Sequence, residues 1–245
     1  MIPEAKIEEF VRRTREAAGS NIESVILYGS AATGHFHPEF SNLNLFCVLR
    51  DTSYASLQVL APVAKWWERQ KQPSPLFMTR EELERSTDVF TIELLDMQQH
   101  HRVLFGPDVL QGLQIPMNLH RVQVEYELRE KLILLRQQIL LSSESEARLW
   151  DLLLRSVPSF VTLFRHATIA LGESPQAGRR EYVKALSKQL GFDPAAINQV
   201  LDVREHKADR KKMDVRDLCA RYLAAIEKVT NAVDKALDSD ASGRT

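Results

Sequence analysis

The sequence predicts an α+β fold, with a small mixed sheet and flanking helices followed by a C-terminal helical bundle. Two observations carry this. Up to about Pro116, short apolar runs of strand length alternate with helical patterns, and most of the prolines fall there. From Met117 onward, apolar residues recur at intervals of three and four. The chain, at 245 residues, is long enough for two cores, so the division expected is residues 1–116 and residues 117–245.

In the first half, Ile7, Phe10 and Val11 set one face of an opening helix. Ser24 to Tyr28 (SVILY) is an apolar run ending at Gly29-Ser30, as a buried strand entering a turn would. After a loop with Gly34 and Pro38, Leu43 to Leu49 reads as a second strand. Residues 53–70 form a helix, with Leu57, Leu60, Ala64 and Trp67 three or four apart. One of the adjacent Trp66 and Trp67 must then point away from the helix's core face. Pro75 to Met78 is a third strand, and Thr79 with Glu82 forms a capping box for a short helix. The run VFTIELLDM, from Val89 to Met97, is expected to start as strand and continue as helix to His101. Val103 to Phe105 then leads into a turn at Gly106-Pro107.

In the second half, Leu128, Leu132, Leu135 and Ile139 trace one face of a helix over residues 119–141. Ser143 and Glu146 read as a capping box for the next, which runs to Leu171, is apolar on most sides and is kinked at Pro158. Helices follow from Arg179 to Leu190 and after Asp193-Pro194. Asp214 opens the last, striped by Val215, Leu218, Tyr222, Ile226, Val229, Val233 and Leu237. Between these two, Arg204 to Arg216 interleaves acids with bases, as a solvated inter-helix segment does. The tail DSDASGRT is expected to fray.

Composition excludes several functions. Lysine plus arginine (32) against aspartate plus glutamate (33) leaves a net charge of −1, which argues against coating nucleic acid. Two cysteines, Cys47 and Cys219, make no disulfide framework and suit a reducing cytoplasm. The opening residues lack the uncharged apolar core of a signal peptide. The most apolar stretch, Leu149 to Leu171, contains Asp151, Arg155 and Arg165 and is too charged to span a membrane. His35, His37 and the pair His100-His101 lack the third ligand that a zinc site requires, so no metal site is expected at a histidine.

The informative segment is Leu27-Tyr28-Gly29-Ser30-Ala31-Ala32-Thr33-Gly34, followed by Ser41-Asn42-Leu43-Asn44-Leu45. Over about residues 1–110 the chain resembles the DNA polymerase β-like nucleotidyltransferase superfamily, which includes aminoglycoside and minimal nucleotidyltransferases. In that signature a strand runs into Gly-Ser at a helix start, and a spacer leads to Asp-x-Asp on the next strand. The resemblance implies that Gly29 lets the backbone approach a phosphate and that Ser30 and nearby N–H groups bind the anion. It also implies divalent metal on the acidic pair, with a third carboxylate from a later strand. This chain has Asn42 and Asn44 at the paired positions. An amide keeps one acceptor but brings no charge, so metal capture by this pair is expected to fail.

Glu93, an acid in an apolar run, is the preferred candidate for a catalytic carboxylate. The reading that follows is a superfamily member with weakened or absent catalysis, binding a nucleotide through Gly29, Ser30, Asn42 and Asn44, or binding a protein partner. Its rivals are an active transferase with a rearranged acidic set that includes Glu93, using magnesium with ATP or another nucleoside triphosphate, and an interaction module with a vestigial cleft.

Overall fold

The computed structural model describes residues 2–33, 36–173 and 178–242, with side chains described as far as residue 236. The chain divides into two compact units, Met1–Met117 and Asn118–Thr245.

The first unit is built on a four-stranded mixed sheet. Its strands are β1 (Ile22–Tyr28), β2 (Asn44–Leu49), β3 (Leu76–Thr79) and β4 (His101–Phe105), ordered β3-β2-β1-β4. β1 runs antiparallel to both β2 and β4, and β2 pairs in parallel with β3. Both faces of the sheet are buried, which explains why β1 and β2 read as continuous apolar runs rather than alternating ones. Helices α1 (Glu4–Ala18) and α2 (Tyr54–Arg69) supply Ile7, Phe10, Leu60 and Trp67 to the core on one face, against Val25, Leu27, Leu45 and Cys47. On the other face, α3 (Arg80–Arg85), α4 (Thr91–Gln99) and the segment after β4 supply Leu83, Leu94, Met97 and Leu110 against Ile26, Phe46 and Val48. Each such side chain contributes about 1.5–3 kcal/mol on burial.

Local signals set the element ends. Thr79 and Glu82 form the reciprocal capping box of α3. Ser53 caps α2 by accepting from the Ser56 N–H. At the end of β4, Gly106 has φ of 77°, and a Cβ there would lie 2.0 Å from the Glu23 carbonyl oxygen, so only glycine fits. Trp67 is fully buried against Phe10, whereas Trp66 is half-buried with the Arg13 guanidinium 4.6 Å from its ring.

The run from Val89 to Met97 departs from expectation. It contains no strand: Val89 and Phe90 are exposed in a turn, and α4 begins at Thr91 and ends at Gln99. The Thr91 hydroxyl reaches back to the carbonyls of Thr87 and Asp88, which ties the helix start to that turn. The strand sits after the helix instead, beginning at His101.

The second unit comprises α5 (His120–Ser142), α6 (Glu146–Ala170), α7 (Arg179–Leu190), α8 (Ala195–Arg204) and α9 (Val215–Ser242). α6 packs against each of the other four and continues through Pro158. Its cap is Ser145, which accepts from the Arg148 N–H, and not Ser143, whose hydroxyl instead binds the Leu140 carbonyl at the end of α5. Arg204 is also not solvated: it lies in α8, buried, and donates to the Leu154 carbonyl at 2.6 Å. A second buried polar contact joins His120 Nε2 to His166 Nδ1 at 2.9 Å. The Leu237 side chain and the end of the tail, Gly243 to Thr245, fall outside the described residues. Among the described residues no helix is long and apolar enough to cross a membrane.

Candidate functional site

The site begins where β1 ends. Tyr28 is the last residue of the strand and pairs with Asn44 on β2 and His101 on β4. Gly29 then turns the chain with φ of 75°, a region that L side chains rarely enter. A Cβ at Gly29 would lie 2.9 Å from Asn44 Nδ2, so the absence of a side chain also makes room for the asparagine.

The turn is shorter than the resemblance implied. Gly29–Ala31 form a single 3-10 turn, closed by the Ala32 N–H donating to the Gly29 carbonyl at 2.9 Å. Among the described residues no α-helix follows before β2, so Ser30, half-buried, stands in a turn and not at a helix start. Among the described residues, then, no helix N-terminus follows directly on Ser30 to add its dipole. Gly34 and His35 of the following loop lie outside the described residues.

The second strand is also shorter. β2 begins at Asn44, and Asn42 precedes it, exposed. The alternation nevertheless holds across this boundary. Leu43 and Leu45 are buried in the core under α1 and α2, so Asn42 and Asn44 project to the opposite side. Gln72 fixes the entry, its Oε1 accepting the Leu43 N–H at 2.7 Å.

Glu93 lies in the first turn of α4 and is exposed. It is close enough to act on Tyr28: burial raises the Tyr28 phenol above its ordinary pKa, and the Glu93 charge raises it further. The structure thus draws Gly29, Asn44 and Tyr28 into contact, with Ser30 next in the chain and Glu93 within electrostatic reach. The sequence marks Tyr28 only as the end of a strand and does not mark Gln72 at all. Their contacts are cross-strand and loop-to-strand, and no local motif records them.

Two other titratable side chains of the first unit are engaged by near neighbours. His101 is held by the Met97 carbonyl at 2.8 Å and the Asp108 carboxylate at 3.0 Å. Asp51 accepts from the backbone and hydroxyl of Ser53 and from the Ser56 hydroxyl, contacts that hold its carboxyl below the usual range. The resemblance implied a third carboxylate from a later strand, but neither LFMT of β3 nor HRVLF of β4 contains an acid. Two amides and one helix-borne carboxylate do not fit a pair of magnesium ions, which require carboxylates in addition to phosphate oxygens.

Residues 5–97 match the profile of the nucleotidyltransferase domain, a range that takes in β1 to β3 and ends within α4. The first unit belongs to the nucleotidyltransferase superfamily. No curated protein matches the chain in sequence. Among solved structures, the fold is similar to that of spectinomycin adenyltransferase from Enterococcus faecialis, determined with ATP and spectinomycin. The similarity has a TM-score of 0.57 at 15% identity and covers 94% of this chain and 99% of that one. At this identity the likeness concerns the fold. The nucleotidyltransferase domain therefore has its strand, glycine turn and second strand in place, with asparagines at the entry to that second strand.

Proposed function

We propose that this nucleotidyltransferase domain has lost two-metal catalysis and retains its cleft as a site for a nucleotide, bound without magnesium. The observation that carries this reading is the donor set. Asn42 and Asn44 offer neutral oxygens, and β3 and β4 add no carboxylate. Without anions to hold a dication, the charge that develops in phosphoryl transfer goes unstabilised. The amides remain useful for binding, because each can donate to a phosphate oxygen, which a carboxylate cannot. Gly29 provides the positive-φ turn that sets Asn44 beside it, and the Ser30 hydroxyl adds a donor. The adenyltransferase of similar fold was solved with ATP, which makes ATP the first nucleotide to try.

The test is calorimetric titration of ATP into the full chain with and without magnesium. Saturable binding that magnesium leaves unchanged or weakens is the expected result. Magnesium-dependent transfer of a nucleotidyl group to any acceptor would overturn the reading.

A second reading, an active transferase using Glu93, is favoured by the charge that Glu93 places near the end of β1. On that reading Glu93→Ala abolishes transfer while the far-UV spectrum and melting temperature stay unchanged.

A further inference from the structure

Helix α5 is apolar on two opposite faces. Val124, Leu128, Leu132 and Leu135 are buried within the second unit. On the other side Leu119, Val122, Tyr126, Ile133, Leu140 and Leu141 are each at least 44% exposed. Together they present on the order of several hundred Å² of apolar surface. The largest patch on a typical monomer is roughly 300–600 Å², and each partner in a standard interface contributes about 800 Å². A helix that is apolar all round belongs inside a core. Half of this one is uncovered.

The outward positions have a second property. With Leu134 and Leu141 set aside, eight exposed positions fall at 119, 122, 126 and 129, then at 130, 133, 137 and 140. The intervals are three, four and three from either end, so the stripe is palindromic about the Arg129–Glu130 peptide bond. Within each half, steps of three and four alternate as they do along helices packed side by side. A two-fold axis at that bond lays Leu119 against Leu140 of a second copy, Val122 against Gln137, and Tyr126 against Ile133.

Arg129 and Glu130, the charged residues of the stripe, then meet their opposites at the axis. A parallel pairing would set Arg129 against Arg129 and Glu130 against Glu130. Arg129 is already oriented by Glu125 at 2.5 Å and Asp234 at 2.6 Å, and its guanidinium has further donors. Glu130 is exposed and makes no ion pair or hydrogen bond among the described residues.

We propose that α5 is the seam of a homodimer, packed antiparallel on α5 of a second copy about a two-fold axis at Arg129 and Glu130. Such an interface is self-complementary, as a closed dimer requires. It stands independently of the nucleotide reading.

Sedimentation equilibrium on the full chain across the micromolar range is expected to show a dimer. Ile133→Glu and Glu130→Arg should each weaken it at least about tenfold, equivalent to about 1.4 kcal/mol, with unchanged circular dichroism. Direction is read by mixing Tyr126→Cys with Ile133→Cys protein under mild oxidation; the native Cys47 and Cys219 are both buried. A disulfide-linked mixed dimer as the main product supports the antiparallel seam. A monomer at all concentrations, a dimer indifferent to both charge variants, or linkage mainly within the Tyr126→Cys protein would overturn it. Should Ile133→Glu fail to fold, Glu130→Arg and the cross-linking pair decide the matter.

Discussion

The Asn44 side chain occupies the space that a methyl group on Gly29 would need, with its Nδ2 2.9 Å from that position. Gly29 also holds φ of 75°. Gly29→Ala therefore meets two obstacles, and the backbone conformation alone costs about 1–2 kcal/mol. Urea unfolding should show at least this loss. Adding Asn44→Ala relieves the contact but not the dihedral strain, so the double variant should cost less than the sum of its parts.

Restoring charge at the entry to β2 tests the proposed loss of metal binding. Asn42→Asp combined with Asn44→Asp is expected to tighten magnesium binding in the presence of ATP by at least about tenfold, since hard dications favour carboxylate oxygens. Isothermal titration with magnesium as the titrant reads this. No gain in affinity would mean that the two side chains do not converge on a common ion.

The Tyr28 phenol should report on Glu93. Burial raises its pKa, and the Glu93 carboxylate raises it further by opposing a second negative charge. Glu93→Gln should lower the Tyr28 pKa while burial keeps it above about 10. A pH titration of the tyrosine ring carbons by NMR would follow the shift, and an unmoved Tyr28 would place Glu93 out of reach.

The turn after β4 carries a pH-dependent contribution to stability. Burial alone would raise the Asp108 carboxyl, but the His101 ring and the Leu110 and Gln111 N–H groups outweigh it and bring the pKa below the ordinary value. The unfolded value is about 3.9. The stabilisation is therefore fully present above that pH and disappears as pH falls through the lower folded value. Asp108→Asn should reduce the melting temperature at neutral pH. The gap between variant and parent should narrow steadily as the solution is acidified below about pH 4.

How much was legible in the sequence depended on how local the cause was. SVILY and LNLFCVL announced β1 and β2 because strands buried on both faces must be apolar throughout. The capping box at Thr79 was equally plain. The run at Val89 was not, since nine residues admit both a two-residue and a 3.6-residue period. The exposure of Val89 and Phe90 decided it. At Ser143 and Ser145 the sequence offered two caps, and the wrong one looked better because Glu146 completes a capping box with it. Ser143 is used by the helix it ends. In the site, Gly29 and Asn44 were visible as residue types, but their contact, and the place of Tyr28 between two strands, depend on pairing across the sheet.

Asn42 and Asn44 belong to neither of the two apolar clusters that sandwich the sheet. Trading an acid for an amide at that rim leaves the interior as it was. Selection acting on folding alone is then blind to the exchange. A scaffold of this kind can be inherited intact while its reactivity drifts, and a few substitutions at the same rim could direct it to a different task.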